Sequence, residues 1–365
     1  MRERPARQFL WRHLAIAFMA VGLAVTLMAP AAIADDDDDK VSVSWDNTLS
    51  FGLAYRLDEQ DPDIIGLANG GNAFSVNGDS GNLNYDTGIS SMTGKWSSEL
   101  QLDFGEHFGA FFRGFAFYDL EQEERDRMRT PLTPEALNRV GSRAELLDAY
   151  VWTRFGSANH PAQIRLGEQV QSWGESTFIQ GGINTINPVD VCALRVPGAE
   201  LKEALVPVGM AWGSVALSDN ISVEGFYQYR WEEVHIDPPG SYFSTNDFAG
   251  AGGETVFLGF GDPPDIPPFS DPTAPNRPFL GVGREANVEA DDGGQYGVAL
   301  RWYVPAMGNT ELGFYFINCH SRLPTINGRT GTLGGAITAG TIGAAANPIT
   351  VSVLTWLAMN PGDIP

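Results

Sequence analysis

The feature that most constrains this chain is the alternation of apolar and polar residues from Val41 to Arg56. Apolar side chains fall on one face and polar side chains on the other, and only Asn47 interrupts the apolar face. At about 3.3 Å a residue the segment spans about 50 Å, which is long for a globular strand and suits a tilted strand that crosses a membrane. Ile221 to Glu232 repeats the pattern, with its charges confined to one face. The alternation predicts strands that face lipid on one side and water on the other.

Further segments with the periodicity of strands follow along the chain. They are Trp96 to Phe104, Phe108 to Asp119, Leu147 to Phe155, Gln163 to Gln171, Val206 to Leu217, Gln295 to Val304, Glu311 to His320 and Thr350 to Leu357. Tight turns are predicted at Gly105-Glu106-His107 and Ser218-Asp219-Asn220. The fold class predicted is therefore all-β, a transmembrane antiparallel β-barrel of the outer-membrane type.

Long insertions separate several of these strands. They cover residues 58–82, 121–143, 172–205 and 235–294, and the last of them is dense in proline and glycine. Connections of this length are uncommon in a compact domain, and in outer-membrane barrels they belong to one end of the barrel. Thr133-Pro134-Glu135 and Gly198 to Leu205 predict short helices inside them, and either helix could fold into the lumen.

The N-terminal segment, residues 1–34, is predicted to be a secretory signal peptide. Arginines precede an apolar run from Leu14 to Met28, and the small-residue exit Ala32-Ile33-Ala34 follows it. A membrane anchor is the alternative, but the run is shorter than the roughly 20 residues that span a bilayer. We expect residues 35–365 to form one outer-membrane domain.

Charge and composition exclude several classes of function. The net charge of −22 makes nucleic acid an improbable partner. Cys192 and Cys319 permit one disulfide but no disulfide framework, and the spacing of the histidines predicts no metal site. We expect no cofactor.

Several longer stretches resemble one family of bacterial proteins. They are Gly81 to Asp86, Ala110 to Gly114, Ala144 to Val151, and the long block from Arg165 to Gly240. That block carries Gln171 to Phe178, Asn187 to Asp190, Pro197 to Lys202 and, at its end, Pro238 to Ser244. Together they are similar to the domain-of-unknown-function-1302 family of proteobacterial outer-membrane proteins. The resemblance covers about Val41 to Arg322.

The resemblance implies an outer-membrane β-barrel of a Gram-negative bacterium without established catalysis. It also implies association with a protein of the domain-of-unknown-function-1329 family and with an inner-membrane transporter, in the metabolism of hydrophobic compounds. Family members continue for further strands, whereas this sequence stops at Pro365 without a terminal strand ending in an aromatic residue. We therefore expect the barrel to be incomplete.

The long insertion after Gln171 carries the candidate site. It mixes aromatic surface with polar anchors, and a loop folded into a barrel commonly forms the narrow part of the pore. Packing of an ordered loop would need the same residue types, so both interpretations stay open. The candidate constriction residues are Trp173, Glu175, Phe178, Asn184, Asn187 and Asp190, followed by Glu200 and Lys202.

Arginines inside the predicted strands should face the lumen, because an arginine facing lipid near the membrane midplane costs about 2 to 4 kcal/mol. These are Arg113, Arg154, Arg165, Arg230 and Arg301. They could guide an anionic solute, or they could pair with Glu99, Asp103, Glu168 and Glu224. Pairing is the preferred interpretation, since acidic residues are equally frequent on those strands.

Catalysis has weaker support in the sequence. Ser176 lacks the Gly-x-Ser-x-Gly spacing of a nucleophile elbow, although a triad with His235 or His320 is conceivable. The function predicted is a non-catalytic outer-membrane conduit for hydrophobic or amphipathic small molecules. A hydrolase with its site in the long loops, and a surface structural or adhesion protein, are the alternatives.

Overall fold

The computed structural model of the chain describes residues 41–174, 182–261, 264–266 and 281–328. The predicted signal peptide and the predicted strand Thr350 to Leu357 lie outside the described residues. The strands are β1 (Val41–Arg56), β2 (Gly88–Phe104), β3 (Phe108–Asp119), β4 (Ser142–Ser157), β5 (His160–Gln169), β6 (Val208–Ser218), β7 (Ile221–Gln228), β8 (Thr255–Phe257), β9 (Gly281–Gly283), β10 (Gln295–Val304) and β11 (Thr310–Asn318).

The strands form a large antiparallel sheet in the order β1-β2-β3-β4-β5-β6-β7-β10-β11, so every neighbour in the sheet is also the next of these strands along the chain. A separate two-stranded sheet pairs β8 with β9 inside the connection between β7 and β10. The all-β prediction is confirmed. The pair of β8 and β9 was not expected, because three residues are too few to show alternation.

Short turns lie at one end of the large sheet and long connections at the other. The β2–β3 turn is Gly105-Glu106-His107, with Gly105 at φ 64°, and the β6–β7 turn follows the Ser218↔Ile221 pair. Both turns agree with the prediction. Residues 57–87, 120–141, 170–207 and 229–294 form the long connections at the opposite end.

Short helices lie in these connections. They are α1 (Ser80–Leu83), α2 (Leu120–Glu124), α3 (Pro134–Val140), α4 (Val191–Arg195) and α5 (Leu201–Ala204), with 3-10 helices at Pro62–Ile64, Leu67–Asn69 and Pro305–Met307. The side chain of Thr133 accepts a hydrogen bond from Ala136 N and Pro134 occupies the first turn, so the predicted start of α3 is confirmed. The helix predicted within Gly198 to Leu205 is confirmed as α5.

The two faces of the sheet differ in chemistry. Directly paired residues point to the same side, and one row of partners runs across the whole sheet: Val43, Leu102, Ala110, Val151, Leu166, Ala211, Tyr227, Tyr296 and Asn318. This face, which we call the outer face, is apolar and largely uncovered, with Val151 at 41%, Leu166 at 51% and Phe314 at 57% exposure. The structure thus presents an apolar surface to its surroundings.

The opposite face, the inner face, is predominantly polar on β1 and β2. Ser42, Ser44, Asp46, Thr48 and Ser50 pair with Asp103, Gln101, Glu99, Ser97 and Lys95. Further along the sheet it becomes more apolar, with a buried cluster of Phe115, Phe117 and Leu147 and a second one around Met210 and Phe226. The long connections cover these clusters.

The largest differences from the predicted strand limits concern β2, β4 and β7. β2 begins at Gly88 and not at Trp96, because its first residues are mostly small or hydroxyl-bearing and show no apolar alternation. β4 begins at Ser142 and not at Leu147. The register between β3 and β4 shifts between Phe112 and Gly114, and this irregularity interrupts the alternation along β4. β7 ends at Gln228, after which Trp231 N donates a hydrogen bond of 2.9 Å to Asp292 and the chain leaves the sheet.

No helix among the described residues is long and apolar enough to cross a membrane. Cys192 is buried and Cys319 is exposed, and both are free thiols, so the disulfide that the sequence permits is not formed.

Candidate functional site

The connection between β5 and β6 crosses the inner face of the sheet, and its first part is anchored by Trp173. The side chain of Trp173 is 3% exposed and lies against Phe226 and Tyr315, with ring centroids 5.2 and 5.8 Å away. Its indole nitrogen donates a hydrogen bond of 3.0 Å to Glu224. A Cβ atom at Gly297 of β10 would lie 2.8 Å from the Trp173 ring, so this glycine lets the indole reach the strand. Trp173 therefore fixes the connection against β7, β10 and β11.

The second part of the same connection rests on the far side of the sheet. Pro197 lies directly over Gly52 of β1, where a Cβ atom would be 2.4 Å from the Pro197 Cβ atom. Lys95 of β2 donates 2.7 Å to the carbonyl oxygen of Gly198 and forms a buried ion pair of 2.5 Å with Glu203. The connection thus runs over the inner face from β10 and β11 to β1 and β2.

Asp190 holds the middle of this connection to the sheet. It is buried, caps α4 through a hydrogen bond of 2.8 Å from Ala193 N, and accepts 2.8 Å from Arg143 of β4 and 3.2 Å from His235. Burial opposes the charge of Asp190, but the hydrogen bond from His235 and the charge of Arg143 outweigh burial and hold the pKa of Asp190 well below its usual range. Asp190 is therefore an ionised structural anchor.

Asn187, another candidate, closes the two ends of the connection on each other. Its amide nitrogen donates to the carbonyl oxygens of Gln169 (3.1 Å) and Val206 (2.9 Å), and its Oδ1 accepts 2.9 Å from Gln171 N. Asn187 is buried, so these contacts satisfy it inside the protein. Packing of the loop explains this residue without a solute.

The remaining loop candidates divide into exposed and undescribed residues. Asn184 and Glu200 are exposed, and Lys202, also exposed, forms an ion pair of 2.6 Å with Glu99 of β2. Glu175 and Phe178 lie outside the described residues. The structure therefore brings Trp173, Asn187 and Asp190 into one buried connection and leaves Asn184, Glu200 and Lys202 at its surface.

The predicted arginines reach different partners. Arg113 pairs with Asp148, and Arg301 pairs with Glu224. Glu224 thus has the role expected of it, whereas Glu99 pairs with Lys202 and Asp103 accepts hydrogen bonds from Gln101.

Arg230 was placed wrongly, because it lies beyond the end of β7. Its side chain is 53% exposed and pairs with Glu168 (3.1 Å) and with Glu232. The argument that an arginine must face the lumen applies only to residues within a strand. Because the ion pair of Arg230 is exposed, it contributes little to the stability of the protein.

Arg154 and Arg165 stack on tryptophans of the inner face. The Arg154 guanidinium lies 4.2 Å from the Trp152 ring centroid, and the Arg165 guanidinium lies 4.7 Å from that of Trp212. Cation–π contacts of this kind hold the guanidinium flat against the ring and leave its terminal nitrogens free to bind an acceptor.

Sequence reasoning missed several buried charges that hold the connections in place. Lys95 and Arg143 fell in strand segments that the apolar pattern did not reveal. Arg322, beyond β11, is 6% exposed and donates 2.6 Å to Gln228 and 2.9 Å to the carbonyl oxygen of Ile186. Lys95 could have been placed on the polar face of a strand, because it lies two residues from the hydroxyl residues Thr93 and Ser97. No local sequence pattern identifies Arg322.

The long connections also bind one another. Asn84 donates to the carbonyl oxygens of Thr130 and Gly240 at 2.8 Å each, and its Oδ1 accepts from the backbone nitrogens of Arg129 (3.1 Å) and Thr130 (2.8 Å). One side chain thus ties together residues 57–87, 120–141 and 229–294. The described parts of these connections form a cap at one end of the sheet, which we call the loop cap.

The side chains that could bind a metal or carry out catalysis lie apart from one another or have other partners. Over the described ranges, no group of three or more His, Cys, Asp or Glu residues is placed to hold a metal ion. Asp265, an acidic residue of the connection between β7 and β10, pairs with Arg129. His235 contacts Asp190, but the same ring nitrogen lies 3.0 Å from Arg139, and Ser176 is not among the described residues.

A family model described as "Protein of unknown function (DUF1302)" matches residues 15–359 of the chain, which is nearly its whole length. No curated protein and no solved structure matches the chain. The comparisons therefore agree with the resemblance found in the sequence and assign no activity.

Proposed function

The chain belongs to the DUF1302 family of proteins of unknown function, and we propose that it is a non-catalytic outer-membrane conduit for hydrophobic or amphipathic small molecules. In this proposal the sheet closes into a barrel in the outer membrane of a Gram-negative bacterium. Lipid surrounds the outer face, and the solute passes the inner face.

One observation carries the proposal: the outer face is apolar across the sheet and exposed, while connections and polar residues occupy the inner face. Soluble monomers rarely expose an apolar patch larger than a few hundred Å². On the outer face, exposed apolar side chains recur from β1 to β11, among them Phe51, Val151, Leu166 and Phe314. Such a face would be buried favourably against the lipid chains of a bilayer. Short turns at one end and long connections at the other are the arrangement of outer-membrane barrels.

The connection between β5 and β6 supports selective passage. Loops folded against the inside of a barrel set the width and chemistry of the narrowest part. Here Trp173 fixes one described part of the connection, and Pro197 and Glu203 fix another. Parts of the connection fixed in this way would select solutes by size and shape.

Reconstitution tests this function directly. The full chain in planar bilayers should give discrete conductance steps, and an apolar solute added on one side should reduce the ion current by occupying the narrow part. Absence of steps from protein that has inserted, as shown by protease protection, would contradict the conduit.

The hydrolase alternative rests on one contact, the hydrogen bond between His235 and Asp190. That pair is buried together with Arg143, which suits an anchor better than an exposed base. Replacing Ser176 by alanine separates the two functions, because only a hydrolase loses turnover of an ester substrate. The partners expected from the family resemblance, a periplasmic DUF1329 protein and an inner-membrane transporter, would take up the solute after passage.

A further inference from the structure

The two arginines that stack on tryptophan occupy one continuous area of the inner face. Across β4, β5 and β6, Trp152, Arg165 and Trp212 are register partners in one row. In the neighbouring row Arg154 pairs with Gln163, and Gln163 pairs with Ser214. These six residues form what we call the arginine patch. It lies in the half of the sheet near the short turns, away from the loop cap.

The arginine patch carries positive charge without a matching carboxylate. Arg113 and Arg301, on the same face, have Asp148 and Glu224 as partners. In the described ranges, neither Arg154 nor Arg165 has a carboxylate at ion-pair distance. In a chain of net charge −22, composition predicts that most arginines have a carboxylate close by. Arg154 and Arg165 depart from that expectation.

Two donors within the patch also lack acceptors. The Nε atom of Arg165 and the Nε1 atom of Trp212 are buried and make no hydrogen bond. A buried donor without an acceptor costs free energy, so such sites persist where something else satisfies or uses them. Both donors lie on adjacent strands, so unused hydrogen-bonding capacity is concentrated in this area.

The tryptophans give the patch its second property. Trp152 is 6% exposed and Trp212 is 7% exposed, each covered by the arginine that stacks on it. Gly109 of β3 provides the space for Trp152, because a Cβ atom there would lie 2.5 Å from the indole. Because the arginines cover the tryptophans, a solute would meet the guanidinium groups themselves, and a flat apolar body can stack on a guanidinium plane while the fork binds an anionic group.

We propose that the arginine patch is a binding site for organic anions, namely amphipathic molecules that join a carboxylate to an apolar body. Arg154 and Arg165 would bind the carboxylate, and Gln163 and Ser214 would add hydrogen bonds. The guanidinium planes, held in place by Trp152 and Trp212 beneath them, would stack on the apolar part. The inference rests on the proposed function, because the patch meets a solute only if the inner face lines the conduit. It narrows the solute class from apolar molecules to their carboxylates.

The experiment uses the purified full chain in an uncharged detergent and two probes of the same shape, 1-naphthoate and 1-naphthalenemethanol. Equilibrium dialysis should show that the protein binds naphthoate about tenfold more tightly than the alcohol, since a hydrogen bond to a charged group contributes about that factor or more. Arg165→Gln and Arg154→Gln should each remove most of that preference and leave binding of the alcohol unchanged. Arg165→Lys should keep part of it, because the charge stays and the fork is lost.

Arg230→Gln is the matched control, since it removes an arginine that lies outside the strands and outside the patch. Its binding of naphthoate should equal that of the unchanged protein. Heat-modifiable migration verifies the fold of each variant before dialysis.

Three results would overturn the site. They are equal binding of the two probes, unchanged binding of naphthoate in folded Arg165→Gln and Arg154→Gln, and displacement of naphthoate by inorganic phosphate at equal concentration. The last result would mean that contact with the apolar body contributes nothing. If the conduit itself is wrong, inserted protein will give no conductance steps in planar bilayers. That result is independent of the dialysis, so failure of the conduit and failure of the binding site can be told apart.

Discussion

The carboxylate of Asp190 accepts a hydrogen bond of 2.8 Å from the guanidinium of Arg143, which joins the connection between β5 and β6 to the inner face of β4. Both residues are buried. The middle of a long connection is thereby held against the sheet at one ionic contact. Because a buried pair is costly to break on one side only, this contact should control the order of the whole connection.

Replacing Asp190 by asparagine should destabilise the protein by about 3 to 5 kcal/mol, because Arg143 would stay buried without its counter-charge. The measurement is thermal unfolding followed by the loss of heat-modifiable migration. Glu200→Gln, which changes an exposed carboxylate of the same connection, should have almost no effect. Equal stability of the two variants would show that the pair does not anchor the connection.

The same pair predicts an acid limit to stability. The pKa of Asp190 is lowered in the folded protein, so its stabilisation is fully present above the unfolded pKa of about 3.9 and is lost as the pH falls through the depressed folded value. Titration of the unfolding temperature between pH 5 and pH 2 should show a decline in the unchanged protein. Asp190→Asn should flatten that decline.

Asp247, in the loop cap, should behave in the opposite way. Burial, together with the nearby charge of Asp79, raises the pKa of Asp247 to about 7 despite the hydrogen bond from Ser80 N. A raised carboxyl pKa gives stability that is fully present below about pH 3.9 and lost as the pH rises through the folded value. Asp247→Asn should therefore raise the unfolding temperature at pH 8 and change it little at pH 4. An equal effect at both pH values would contradict burial of the Asp247 charge as the source of the change.

Trp173 should limit the width of the conduit. Trp173→Ala removes the indole that lies on Gly297 and Phe226, so single-channel conductance should rise and block by apolar solutes should weaken. Truncation of a buried tryptophan also lowers the free energy of unfolding by about 3 to 5 kcal/mol. The conductance should therefore be recorded at low temperature, where the variant stays folded. Trp302→Ala, on the outer face with 44% exposure, should leave conductance unchanged.

A charge on the outer face should hinder assembly in the membrane. Ile164 and Gln163 are neighbours on β5, and their side chains point to the outer and the inner face. Ile164→Arg should reduce the yield of folded protein in lipid vesicles, because an arginine toward lipid costs about 2 to 4 kcal/mol at the midplane. Gln163→Arg should fold with nearly the normal yield. If both variants fold equally well, the outer face does not meet lipid.

Much of the fold follows from local periodicity, whereas the contacts of the site do not. β1 and β10 were predictable because apolar and polar residues alternate through them. The first half of β2 was not, since Ser90, Ser91 and Thr93 carry no apolar signal. Arg143 with Asp190 and Trp173 with Gly297 are distant in sequence, and a single sequence offers no local pattern for pairs that only tertiary folding brings together.

The conduit depends most on which face of the sheet meets lipid. After Cys319 is replaced by serine, a nitroxide is attached to Leu166→Cys or to Gln163→Cys, and its exposure to oxygen and to a water-soluble nickel complex is measured by electron paramagnetic resonance in vesicles. We predict that the label at position 166 is relaxed by oxygen and shielded from nickel, and that the label at position 163 shows the reverse. Nickel access at position 166 equal to that at position 163 would contradict the membrane location of the outer face and the conduit with it.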